Sequence, residues 1–211
     1  SLPSVLVVYC LVFFFVQYGY TAYNGNKGQF FGFVVYDGEA FGADSCGATC
    51  TDAQNNYNKG VSLAGGSTDL MYNIVGYVYS WVLPFLVKRV GTKWVIIVSF
   101  IPQCLLMVMA FTKVVAVDVI IVIVTTLSQT SVFALLVPVI VHVFGDQGEL
   151  GVYVGALNSA NCFGQLLNFA IGAALVETSL GYKLPVFIGG AMSFIGVVIG
   201  AFFLKLKMNS M

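Results

Sequence analysis

The chain has 211 residues, of which 59% are hydrophobic and 9% charged, and its mean hydropathy is +0.92. Soluble domains carry about 25% charged residues, so the composition excludes an ordinary soluble domain and marks an integral membrane protein. Nine basic and nine acidic residues cancel, which leaves no excess charge to hold nucleic acid or an anionic surface. His142 is the only histidine, which excludes most triad chemistry.

Six segments are apolar and long enough to span a bilayer. Ser1 stands at the start where a Met would open a full reading frame, and residues 1–17 lack the basic segment and small-residue cleavage site of a signal peptide. The expectation is the edge of a longer protein. The first span is expected at about residues 3–23, with Gln17, Thr21 and Asn24 at i, i+4 and i+7. A polar stretch over about 24–60 reads as an extramembrane loop, with an apolar patch at 30–36 inside it. That loop contains Cys46 and Cys50, for which free thiols, a disulfide and a weak metal site are the alternatives. No His or further Cys accompanies them, which disfavours metal, and a disulfide fits an extracellular or lumenal loop. Cys10, Cys104 and Cys162 lie in apolar runs and read as small buried hydrophobes.

The second span, about 61–87, carries Asp69, Asn73 and Ser80 near one face, with Tyr72 and Tyr79 beside it. The third, about 93–112, has only Ser99 and Gln103. The fourth, about 114–144, is longer than one crossing needs and is expected to tilt or protrude; it carries Thr125, Ser128, Gln129 and Ser131. The fifth, about 150–176, places Asn158, Asn161, Gln165 and Asn168 at spacings of 3, 4 and 3, a single stripe on a helix. Amides are costly against lipid tails without partners, so this stripe must face protein or a water-filled cavity. The sixth, about 184–206, has only Ser193. Pro84, Pro102 and Pro138 fall inside spans and are expected to kink them. Gly151/Gly155 and Gly196/Gly200 each form a GxxxG, read as close packing within the bundle.

With a cytoplasmic N-terminus, Lys88, Arg89, Lys93, Lys205 and Lys207 lie inside, and Lys27, Lys59, Lys113 and Lys183 outside. The tight cluster from Lys88 to Lys93 joins two spans and favours that orientation, which puts the cysteine loop outside. Polarity falls on spans one, two, four and five, read as cavity-lining; three and six read as peripheral. Their alike behaviour is what two three-helix inverted repeats require. The expected fold is all-α, a six-helix membrane bundle with the pattern of half a twelve-helix major-facilitator carrier.

Short motifs in order carry a resemblance. Gly155-Ala156-Leu157-Asn158, with Gln165 seven residues on, is similar to the penultimate helix of the plant sucrose/proton symporters and their animal relatives. Leu184-Pro185-Val186-Phe187-Ile188-Gly189-Gly190-Ala191 resembles the start of that family's last helix. Asp69-Leu70-Met71-Tyr72-Asn73 lies where the family has Gly-Leu-Met-x-Asn. Cys10-Leu11-Val12, then Gly32 and Val35-Tyr36-Asp37-Gly38, fall at the family's spacing. The resemblance covers what would be helices 7 to 12 and implies the C-terminal half of a glycoside–cation symporter. Three departures stand out. Lys27-Gly28-Gln29-Phe30-Phe31-Gly32 replaces a run with two carboxylates, one of them by a cation; Ser62 follows Gly60-Val61 where the family tends to Arg; and Asp69 stands in place of Gly. The family's coupling charges lie mostly in its first half.

The substrate-binding candidates are Gln17, Thr21, Asn73, Gln129, Asn161 and Gln165, neutral groups suited to a sugar's hydroxyls. Asn158 reads as structural. Tyr18, Tyr20, Tyr72 and Tyr77 either stack on a sugar or serve as packing and interfacial anchors. His142 reads as interfacial. Asp69, taken as the only carboxylate well inside a span, is the coupling candidate; the equal alternative is that it reaches water or caps a local turn. No catalytic residue, metal or cofactor is expected, and no nucleotide loop or nucleophile set is present in the sequence. The leading expectation is a disaccharide or glycoside transporter working by alternating access, coupled to protons or another cation. The alternative is a transport-inactive, transporter-derived subunit of a larger membrane assembly. Either way the expected partners are the bilayer and something to cover the polar face, the other half or another membrane subunit; in the first case a small sugar joins them.

Overall fold

The computed structural model describes residues 3–145, 149–206 and 208, and these contain helices and no strand. Six helices are long and apolar enough to cross a membrane. They are α1 (Ser4–Asn24), α2 (Asp52–Val90), α3 (Thr92–Met109), α4 (Val115–Phe144), α5 (Leu150–Val176) and α6 (Lys183–Phe203). The fifth matches its expected bounds, and the first, fourth and sixth fall within a few residues of theirs. Lys207, counted on the inner side, lies outside the described residues.

The stretch 24–60 departs most from expectation. It is not continuous loop: α2 begins at Asp52, well before residue 61, because Thr51 and Gln54 form a reciprocal capping box. The Thr51 hydroxyl accepts from the Gln54 amide at 3.2 Å, and the Gln54 side chain accepts from the Thr51 amide at 2.9 Å. The apolar patch is a short helix, Lys27–Gln29, running into a π-helical segment, Phe30–Val35. Phe30 and Phe31 are wholly buried there against Tyr23, Ala64 and Val186. Gly32 and Gly38 lie so close to Tyr57 of α2 that a Cβ at either would overlap it. Cys46 and Cys50 are joined in a disulfide.

α2 has 39 residues, about 58 Å at 1.5 Å per residue, and bulges into a π-helical turn at Ala64–Thr68 around Gly65 and Gly66. Such turns often sit at functional positions. Gly91, at φ 86°, ends α2 in a conformation open mainly to glycine, turning the chain at once into α3. Helical bonding in α3 lapses at Leu105, three residues after Pro102; the helices carrying Pro84 and Pro138 run on without a break.

The packing is symmetric under exchange of the first three long helices for the last three. α1 packs on α5 and α6, α4 packs on α2 and α3, and α3 packs on α6. Small residues set the crossings. Gly164 of α5 abuts the α1 backbone at Phe14, and Gly76 of α2 abuts Thr126 and Thr130 of α4. Gly196 and Gly200 of α6 rest on Val12, Phe15 and Val16 of α1, as expected for a GxxxG within the bundle. The other pair does not: Gly151 and Gly155 meet nothing within 4 Å.

The helices differ in how far the bundle covers them. In α2 and α5 only 17% of the most apolar stretch is buried, against 56% in α1 and 50% in α3 and α4. α2 and α5 are the exposed helices of this bundle. α2 presents Leu70, Ile74, Tyr77, Trp81 and Phe85 outward, and α5 presents Phe163, Leu166 and Phe169. At the end opposite the disulfide loop, the segment after α6 folds back on α3. The Thr92 amide and hydroxyl both donate to the Met208 carbonyl, at 3.0 and 2.8 Å, and Lys93 Nζ donates to the Ala201 carbonyl at 2.9 Å.

Candidate functional site

A buried amide, Gln103 of α3, organises the centre of the bundle. It is wholly buried, so each polar atom needs a partner, and each has one. Its Nε2 donates to the Val16 carbonyl of α1 at 2.7 Å and to Ser193 Oγ of α6 at 2.8 Å. Its Oε1 accepts from Ser128 Oγ at 2.5 Å and from Gln129 Nε2 at 3.3 Å, both on α4. Gln129 Oε1 in turn accepts from Gln17 Nε2 of α1 at 3.0 Å. The network joins α1, α3, α4 and α6 with no net charge. Gly19 makes it possible: a Cβ there would overlap Ser193 Oγ and the Gly189 carbonyl and crowd the Gln103 amide.

Beside this network, between α2 and α4, lies an open cleft of about 240 Å³ lined by Tyr72, Asn73, Gly76, Tyr77, Thr126, Gln129, Thr130 and Phe133. Three aromatic rings, two threonine hydroxyls and two amides face one space without a charge. That lining suits a neutral polyol, whose C–H faces stack on rings while its hydroxyls exchange hydrogen bonds with amides.

The structure thus brings together three of the six binding candidates. Gln17 and Gln129 are bonded to each other, and Asn73 shares the cleft with Gln129; Asn73 Nδ2 also donates to the Asp69 carbonyl at 2.7 Å. Thr21 is buried on α1 and does not line the cleft. Asn161 and Gln165 lie half-buried on α5, away from the cleft, with Gln165 Nε2 donating to Asn161 Oδ1 at 2.8 Å. The stripe they belong to splits by depth. Asn168 is buried, whereas Asn158 is exposed.

Asp69 begins the last section of α2, directly after the π-helical turn. Its Oδ2 pairs with Lys27 Nζ at 2.5 Å, both side chains part-buried. The two charges that set this sequence apart from the symporters therefore answer one another. The pair ties the 27–35 segment to α2 at its bulge. Part-exposed pairs contribute up to about 1 kcal/mol, so Lys27→Glu is expected to lower the unfolding midpoint slightly and Lys27→Glu with Asp69→Lys to restore it. A double-mutant cycle in detergent reads the coupling; additive losses would show that the pair contributes nothing.

Asp69 is not the only acid inside a span. Asp118, one turn into α4, is wholly buried. The signal was present in the sequence, as an acid in the run Val115-Ala116-Val117-Asp118-Val119-Ile120. Gln103 and Ser193 were passed over because their spans carry so few polar residues, and only the crossing of α1, α3 and α6 brings them together.

Comparison with protein-family models, curated proteins and solved structures finds no match to this chain.

Proposed function

We propose that this chain is the C-terminal six-helix half of a sugar carrier of the major-facilitator kind, binding a disaccharide or similar glycoside between two halves and moving it by alternating access. The observation that carries the proposal is the uncharged cleft between α2 and α4, where Tyr72, Tyr77, Asn73, Thr126, Gln129 and Thr130 converge. Neutral donors and acceptors select hydroxyls without the deep electrostatic trap that would hinder release. Three further features support it. The helices pair as two exchangeable sets of three, as inverted repeats do. α2 and α5, the least buried helices, are the ones that a covering half would meet. Asn161 and Gln165 sit half-buried on α5, one of those two helices.

The second reading, a transporter-derived subunit that no longer transports, is favoured by one observation. Gln17, Gln129, Asn161 and Gln165 spend their hydrogen bonds on each other. Sugar-induced thermal stabilisation separates the two. Sucrose is expected to raise the unfolding temperature of the detergent-purified protein, and Asn73→Ala and Thr130→Val to abolish the shift without lowering the unliganded midpoint by more than a few degrees. Equal midpoints with and without each of a panel of disaccharides would favour the subunit reading.

A further inference from the structure

Asp118 is the least explained group in the molecule. It is wholly buried, and among the described residues neither carboxylate oxygen has a hydrogen-bond partner. Thr112, whose hydroxyl comes near, gives its proton to the Val108 carbonyl at 2.8 Å. Among the described residues no cation pairs with it: Lys27 is held by Asp69 and Lys113 by Asp37. One turn on, Ile121 and Val122 sit in an apolar cluster with Leu106, Met109, Ala110 and Val186. A bare carboxylate in such surroundings is too costly to persist.

Asp118 also has company. The Tyr23 hydroxyl at the end of α1, the Thr68 hydroxyl in the α2 bulge and the Tyr72 hydroxyl beside the cleft are buried with no hydrogen-bond partner among the described residues. Tyr23 lies in the same buried cluster as Ile121 and Val122, one turn from Asp118. The charged and titratable groups at this end include Tyr20 and Tyr23 of α1, Lys27 of the 27–35 segment, Asp69 and Tyr72 of α2, and the Lys113–Asp37 pair in the adjoining loops. Tyr72 belongs at once to this group and to the wall of the cleft.

We infer that Asp118 is a buried proton-binding site, occupied in the conformation described here, and that it couples proton movement to solute movement. The coupling role rests on the carrier reading above; the proton site does not. In loading, a hydronium ion from the loop side gives one proton to an Asp118 carboxylate oxygen, forming an O–H bond and leaving water. In unloading, water on the opposite side takes that proton once α4 has moved against α1 and α2. A neutral acid can be enclosed among Ile121, Val122 and their neighbours, and an ionised one cannot. The bundle closes around Asp118 only when the proton is aboard, which is the requirement for coupled transport.

The test has two readouts on the full-length protein in lipid. Infrared difference spectra at neutral pH should contain a protonated carboxylic C=O band that disappears in Asp118→Asn, and that variant should fold with unchanged stability, its amide matching the protonated acid in shape. A carboxylate signature for Asp118 at neutral pH, or gross destabilisation of Asp118→Asn, would overturn the proton site. In proteoliposomes, Asp118→Asn should lose proton-driven accumulation of labelled sucrose at least tenfold while keeping sucrose exchange across the membrane. Undiminished accumulation, or uptake driven by sodium in its place, would overturn the coupling role. If the band is present but the unaltered protein neither exchanges nor accumulates sucrose, the carrier reading fails and the proton site stands.

Discussion

Replacing Gln103 by Leu is expected to lower the stability of the bundle by roughly 2 kcal/mol, the sum of four hydrogen bonds at about 0.6 kcal/mol each in a membrane interior. The substitution removes donors to Val16 and Ser193 and the acceptor for Ser128 and Gln129. The partners are not all orphaned, since Ser128 retains the Thr125 carbonyl and Ser193 the Gly189 carbonyl. That is why the loss stays below the cost of several bare polar groups. The same accounting ranks the variants: Gln129→Leu removes two side-chain bonds and should cost about half as much, on the order of 1 kcal/mol. Thermal unfolding of purified variants checks both. Equal losses for the two would contradict the hub position of Gln103.

The second large effect is steric. Gly19→Val should prevent the α1–α6 crossing from forming, because even a Cβ collides with the Gly189 carbonyl and Ser193 Oγ. Overpacking of a core costs about 1–3 kcal/mol when side chains can yield; here one obstacle is backbone, and the yield of folded protein should collapse. Gly155 provides the contrast. It meets nothing within 4 Å, so Gly155→Ala should be neutral or gain up to about 1 kcal/mol from helix propensity. Size-exclusion profiles and thermal midpoints report both. A destabilised Gly155→Ala would mean that another protein surface covers this part of α5.

The positions of the spans were legible in the sequence because hydropathy and length decide them, and residues 150–176 were read to their ends. The start of α2 was not, although its signal, Thr51 with Gln54, is a local one; the polar composition of 24–60 outweighed it. Which residue fastens the centre was missed for a different reason. Counting polar residues per span ranked α3 and α6 low, yet one fully bonded amide, Gln103, fastens α3 to three other helices. Its partners lie up to 90 residues away, and periodicity within one helix carries no information about what crosses it. The same limit hid the Lys27–Asp69 pair: both residues drew notice as departures from the symporter pattern, 42 positions apart, and only the fold makes them one feature. Of the candidate site, the sequence supplied Asn73 and Gln129; Tyr72 and Tyr77 were weighed between stacking and packing, and Thr126 and Thr130 went unremarked.

The central claim, that this bundle belongs to a sugar carrier, is tested most directly by uptake of labelled sucrose into proteoliposomes containing the full-length gene product, with and without an inward proton gradient. The account predicts accumulation above equilibrium with the gradient, simple equilibration without it, and loss of both in a variant whose cleft is blocked by Gly76→Leu. A correctly inserted protein that moves no disaccharide under either condition would contradict it.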